Sequence, residues 1–239
     1  MIALNNITVQ FGGLIALDAI SVQFDAPVSG IIGPNGAGKT TTMNVISGFL
    51  TPKAGSVLVD DVDLLRLAPH LRPRWGLRRS FQREQIADDL TVYDNLLSLA
   101  DNLAGTSAAH RADVGAALEF VGITVMAQRI GASLNTYERR LTDLARCLVG
   151  RPRLIMLDEP AGGLTVEESA RLGDIILKIR DFCPAQVLVI DHDVDLIARI
   201  CAQTLVLDFG RRIAFGPTAQ VLADPAVKSA YLGIEVEHA

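Results

Sequence analysis

Gly33-Pro34-Asn35-Gly36-Ala37-Gly38-Lys39-Thr40 satisfies the spacing G-x-x-x-x-G-K-S/T in full. The chemistry of that pattern is phosphate binding. A glycine-rich turn between a strand and a helix aims several backbone N–H groups into one hollow, and the helix N-terminus adds a partial positive charge. Lys39 has the length to reach β- and γ-phosphates, and the Thr40 hydroxyl is placed to hold Mg2+. The flanks fit: Val28 to Ile32 reads as a buried strand, and the residues after the turn, through Ile46, read as a helix.

A second acidic site is expected at the end of Leu154-Ile155-Met156-Leu157-Asp158-Glu159, an apolar strand closing on two carboxylates. Beside a phosphate loop, Asp158 is suited to Mg2+ or its waters. Glu159 is suited to polarise an attacking water as general base. Val187-Leu188-Val189-Ile190-Asp191-His192 repeats the arrangement with an imidazole. A parallel strand brings His192 to the carboxyl edge of the sheet, where ligands bind in α/β folds. There it can hydrogen-bond a γ-phosphate or orient water.

The elements that must position these groups are legible in the pattern. Residues 2–25 alternate apolar and polar about Gly12-Gly13, which predicts an antiparallel β pair. Ser56 to Val59 predicts a short strand. Ala68 to Arg79, broken by Pro69 and Pro73, reads as a solvated irregular segment, although Arg72, Arg74, Arg78 and Arg79 also suit an anion site. From Leu90 to about Gly150 the pattern is helical, as in a small lobe inserted into an α/β core. Strands at Leu154–Leu157 and Gln186–Ile190 follow, with a helix between them carrying Leu172, Ile175, Ile176 and Ile179 on one face. Leu205-Val206-Leu207 and Arg212-Ile213-Ala214 predict a terminal hairpin. Alternating strands and helices imply a mainly parallel sheet.

Composition narrows the function classes. The 239 residues carry a net charge of −5 and are nearly half apolar, which suits one large domain and argues against nucleic acid as partner. Cys147, Cys183 and Cys201 are far apart in sequence and read as packed thiols of a reducing compartment. No signal peptide is expected, and no apolar run is long enough to span a bilayer. A membrane role would act through a partner. These residues alone give a Mg-nucleotide-binding, hydrolytic α/β domain.

Gly33–Thr41, Gln82, Leu154–Pro160 and His192 fall in the order of the Walker A, Q-loop, Walker B and H-loop motifs of ATP-binding-cassette (ABC) ATPases, and the chain resembles that family almost end to end. Phe11–Leu17, Val45–Phe49, Asp191–Asp193 and Tyr231-Leu232-Gly233 resemble the branch that serves branched-chain amino-acid importers. Thr91–Leu96 is similar to the lipopolysaccharide-export branch, which stands as the alternative, as does a soluble ABC-type ATPase or nucleotide switch.

The resemblance implies an α/β phosphate-loop core with an N-terminal antiparallel β subdomain. Residues 1–84 and 151–239 would form the core, and about 85–150 an inserted helical subdomain. It implies ATP contacts at Phe11, stacking on adenine, and at Asn35, Gly36, Ala37, Gly38, Lys39, Thr40 and Thr41. It further implies that Gln82 senses both Mg2+ and the attacking water. The implied partners are a second ABC ATPase subunit, in a heterodimer, and transmembrane permease subunits. An extracytoplasmic solute-binding protein would act indirectly. The implied location is peripheral, on the cytoplasmic face of the membrane. One departure stands out. Where the family signature carries two glycines, this chain has Leu134-Asn135-Thr136-Tyr137-Glu138, and Thr165 replaces the usual acid or amide of the D-loop.

Overall fold

The computed structural model describes residues 1–229, so Tyr231-Leu232-Gly233 lies outside the described residues. The chain divides into two compact units, Met1–Arg72 with the chain from Leu188 onward, and Pro73–Val187.

The first unit opens with β1 (Ile2–Phe11) and β2 (Leu14–Phe24), antiparallel across Gly12-Gly13. Ile2, Leu4, Ile7 and Val9 are buried, so the inward pattern slips by one residue after Leu4. A bulge absorbs the slip: Asn6 takes φ 50, and its N–H donates to Ser21 Oγ at 2.9 Å. The apolar β3 (Val28–Ile32) leads through the glycine turn into α1 (Lys39–Ser47). β4 (Ala54–Val59) and the short edge strand β5 (Val62–Asp63) complete an antiparallel sheet in the order β2-β1-β4-β5.

The segment around Arg72 is ordered, correcting the reading of Ala68–Arg79 as solvated and irregular. A single helical turn, α2 (Arg72–Trp75), precedes β6 (Leu77–Arg79). Arg72 and Arg78 are buried. Arg72 Nη1 donates to Val45 O at 2.8 Å and Ile46 O at 2.7 Å, capping the carbonyl end of α1, where Val45 O also accepts from Gly48 N at 3.2 Å. Arg78 donates to Val149 O from Nε and Nη2, at 3.2 and 3.0 Å, and to Pro73 O from Nη1, at 2.6 Å. These arginines are spent on backbone, not on an anion.

In the second unit β6 runs parallel to β7 (Leu154–Asp158), with Leu77 opposite Leu154. Between them lie α3 (Val92–Ala100), α4 (Ser107–Val121) and α5 (Thr136–Leu148). The first two start on threonine caps, Thr91 and Thr106. α6 (Val166–Leu177) and α7 (Ile179–Phe182) then bury Leu172, Ile176 and Ile179. β8 (Gln186–Ile190) carries the chain back toward the first unit.

There α8 (Val194–Ile200) leads into the hairpin of β9 (Gln203–Asp208) and β10 (Arg211–Pro217). β9 is parallel to β3, pairing Leu205 with Ile31, and the strand order is β10-β9-β3-β8. Phe24 packs edge-on against Phe215 with ring centroids 5.4 Å apart. The three cysteines are buried and free. No helix among the described residues is long and apolar enough to cross a membrane.

Candidate functional site

In the first unit the turn from β3 to α1 forms a cradle whose glycines do different jobs. Gly33 has φ 150, and a Cβ there would lie 2.1 Å from Leu207 O. Gly38 has φ 105, and its Cβ would lie 2.7 Å from Leu17 Cδ2. Neither position admits a side chain. Gly36, at φ 80, faces open space, so its conformation alone favours glycine and the backbone there stays accessible. Gly38 caps α1 without a side chain, and no acid occupies the first helical turn. The helix therefore keeps its N-terminal amides and dipole for an anion.

Lys39 is buried, and its Nζ donates to Gly33 O at 2.6 Å and Pro34 O at 2.9 Å. The ammonium is thus held within the cradle itself. Thr40 is exposed and Thr41 half-buried, while the next hydroxyl, Thr42 Oγ1, is turned back to Gly38 O at 3.0 Å. Asn35 is exposed and Ala37 buried. Phe11 ends β1 opposite Leu14 and is half exposed. His192 projects beyond β8. Its Nδ1 lies 3.6 Å from Oδ1 of Asp191, which is fully buried and accepts from Asp193 N at 2.9 Å.

In the second unit the parallel pair β6–β7 brings its own constellation together. Ser80 follows β6, and its N–H donates to Met156 O at 2.9 Å. Its Oγ accepts from Asp158 N at 3.1 Å. The Asp158 carboxylate meets Arg79 Nη2 at 3.1 Å, both side chains being nearly buried. Glu159 sits at φ 50, and Gln82 Nε2 donates to its Oε2 at 2.9 Å. The sequence pointed to Gln82, Asp158 and Glu159. It gave Ser80 no role and read Arg79 only as one of a basic cluster.

The segment Leu134–Glu138 forms the start of α5. Asn135 is the N-cap: its Oδ1 accepts from Glu138 N, and Glu138 Oε2 accepts from Asn135 N, both at 2.9 Å. Arg129 donates to Glu138 Oε1 at 2.5 Å and to Ser133 O at 2.6 Å. That guanidinium, aided by the Asn135 N–H and opposed by desolvation, holds the Glu138 carboxyl below its usual range. Thr165 is likewise a cap, closing a reciprocal box with Glu168 at the start of α6.

Among the described residues no three His, Cys, Asp or Glu side chains gather as a metal cage. Mg2+ keeps most of its waters and needs few protein ligands beside phosphate oxygens; in the first unit Thr40 offers an exposed hydroxyl, and in the second the Asp158 carboxylate is held by Arg79.

A family model described as ABC transporter matches residues 17–162. A second, described as branched-chain amino acid ATP-binding cassette transporter, matches residues 211–237. The chain is 33% identical to the high-affinity branched-chain amino acid transport ATP-binding protein LivG of Escherichia coli, over 98% of both chains. Identity to BraF of Pseudomonas aeruginosa, which carries the same description, is 35% over the same share of each. The lipopolysaccharide export system ATP-binding protein LptB of E. coli is 33% identical over 95% of each chain. The structure superposes with a TM-score of 0.87 on a solved ATP-binding cassette of an ABC transporter in its ADP conformation. That cassette is 27% identical, and the match covers 98% of this chain and 99% of the other. The chain belongs to the ABC transporter family of ATP-binding proteins and resembles its branched-chain amino acid branch.

Proposed function

We propose that this chain binds Mg-ATP and hydrolyses it to drive import of branched-chain or related amino acids. The observation that carries the hydrolytic reading is the Gln82–Glu159 hydrogen bond, which presents a carboxylate already aligned by an amide. For the solute class, the support is the match at residues 211–237 together with the near-full-length likeness to LivG and BraF.

In this reading the amides from Asn35 to Thr41 and the end of α1 receive the phosphates, and Phe11 stacks on adenine. Lys39 exchanges Gly33 O and Pro34 O for β- and γ-phosphate oxygens. Thr40, Gln82 and Asp158 are the groups that would hold Mg2+, which when bound offsets negative charge on the phosphates. Glu159 takes a proton from the attacking water, Gln82 orients that water, and His192 donates to the γ-phosphate. Residues 85–150 act as the helical subdomain, between core segments 1–84 and 151–239.

The partners are a second ABC ATPase subunit, in a heterodimer, and membrane permeases, with a solute-binding protein acting indirectly. The chain then sits peripherally on the cytoplasmic face. The experiment is purification of the full chain from solubilised membranes, followed by reconstitution of what accompanies it. ATP-dependent uptake of leucine or valine is expected. Co-purification with lipopolysaccharide-export components, or ATP hydrolysis with no membrane partner, would reject the import reading.

A further inference from the structure

Arg140 lies in the second turn of α5 and is buried. Its Nη2 donates to two main-chain carbonyls, Gln82 O at 3.2 Å and Gly162 O at 3.1 Å. Its Nε lies 2.9 Å from Glu84 Oε1, in an ion pair whose side chains are 9% and 14% exposed. Burial of the guanidinium is thus matched by a buried carboxylate.

Both carbonyls belong to residues that also hold Glu159. Gln82 grips its carboxylate through Nε2, and the Gly162 N–H donates to Glu159 O at 3.1 Å. One side chain therefore ties together the segment that fixes the carboxylate and the segment that fixes its backbone. Glu159 needs such enforcement, because at φ 50 it occupies a left-handed conformation that a residue with a Cβ adopts at a cost. Gly162 leaves the clamp room. A Cβ there would stand 3.1 Å from Arg140 Nη2 and 3.3 Å from Glu159 O. The fork of a guanidinium serves several acceptors at once, which a lysine ammonium on its flexible stem does not reproduce.

We propose that Arg140 is a positioning residue for ATP hydrolysis: it touches neither nucleotide nor water, and acts by holding Gln82 and Gly162 about Glu159. This rests on Glu159 being the general base. Arg139 is the natural comparison. One residue away on the same helix, it binds Asp88 Oδ1 at 2.8 Å and Gly131 O at 3.0 Å instead.

The test measures kcat, KM and ATP affinity in the full chain, assembled with the membrane subunits that accompany it. The variants are Arg140→Lys, the charge-matched pair Glu84→Gln/Arg140→Met, and Arg139→Gln. Both Arg140 variants are expected to lower kcat by about tenfold to a hundredfold, the scale of a mispositioned catalytic group, with ATP affinity unchanged. Arg139→Gln is expected to lower the thermal midpoint and leave kcat in place. In a Glu159→Gln background the Arg140 changes should cost nothing further, as for residues that act as one unit. A folded Arg140 variant with wild-type kcat overturns the proposal. So does the same loss from Arg139→Gln, or an undiminished loss in the Glu159→Gln background. Wild-type turnover in Glu159→Gln itself would instead remove the base assignment.

Discussion

Gln82 Nε2 donates to Glu159 Oε2 at 2.9 Å, so the carboxylate at the end of β7 is oriented by an amide from the segment that follows β6. Glu159→Gln preserves shape while removing the base. The expected result is retained ATP binding with turnover at least ~100-fold slower, the scale of general-base catalysis. Turnover at the wild-type rate in the assembled transporter would show that another group takes the proton.

Lys39 makes a separate, binding-level prediction. Its ammonium already has two carbonyl partners, Gly33 O and Pro34 O, so nucleotide must exchange these contacts for charged phosphate oxygens. Hydrogen bonds to charged groups contribute about 1.5–3 kcal/mol. Lys39→Ala should therefore weaken ATP about tenfold to a hundredfold in a calorimetric titration, and Glu159→Gln should not. Equal affinities for wild type and Lys39→Ala would remove the phosphate-cradle reading.

What was legible in the sequence depended on whether backbone or side chains carried the signal. The glycine cradle, the strands around it and the hairpin of β9 and β10 were readable, because φ preferences and apolar periodicity are local. The alternation read over residues 2–25 did not include the bulge at Asn6, where the pairing register shifts between Leu4 and Ile7. The stretch around Arg72 and Arg78 was misread. Arginine is ordinarily solvated, and nothing local reveals that its partners are Val45 O, Ile46 O and Val149 O. Gln82 came from resemblance alone. Ser80 and Arg140 were beyond reach for the same reason as Arg72: their acceptors and donors lie far along the chain.

Asp143 predicts a pH dependence of stability. Burial pushes its carboxyl up from 3.8 to about 6, against the pull of Arg146, with Glu84 adding to the rise and Arg140 opposing it. Arg146 Nη1 donates to it at 3.1 Å. The folded state therefore keeps a proton that the unfolded chain releases. The resulting stabilisation is complete below the unfolded value and is lost as pH rises through about 6. At ~1.4 kcal/mol per unit, the loss is on the order of 3 kcal/mol. Urea denaturation across this window should show a downward slope in wild type that Asp143→Asn lacks. Because the substitution also strips Arg146 of its carboxylate partner, leaving it Gln85 O at 2.6 Å, the slope and not the absolute stability is the readout. An unchanged slope would place the titration elsewhere.

The start of α5 leads to the last prediction, an asymmetric pair of ATP sites. In the dimer implied by the family resemblance, this helix end would face an ATP held by the partner subunit. Here Glu138 N is spent on Asn135 Oδ1, and Asn135 N on Glu138 Oε2. A self-closed capping box leaves fewer amides for phosphate. Tyr137 replaces a glycine of the signature and is half-buried, which takes space where backbone would approach the nucleotide. Charge contributes less than geometry, because Arg129 already pairs with the Glu138 carboxylate. A bare carboxylate ~4 Å from a phosphate would cost about 4 kcal/mol at an effective dielectric of 20, and the pair removes most of that. The ATP on Lys39, facing the partner's signature, should be hydrolysed, and the ATP facing Asn135–Glu138 should turn over slowly. Glu159→Gln should accordingly stop transport, while the matching substitution in the partner leaves substantial uptake. Equal loss from the two changes, or full activity from a homodimer of this chain, would show that the capped helix end opens to nucleotide.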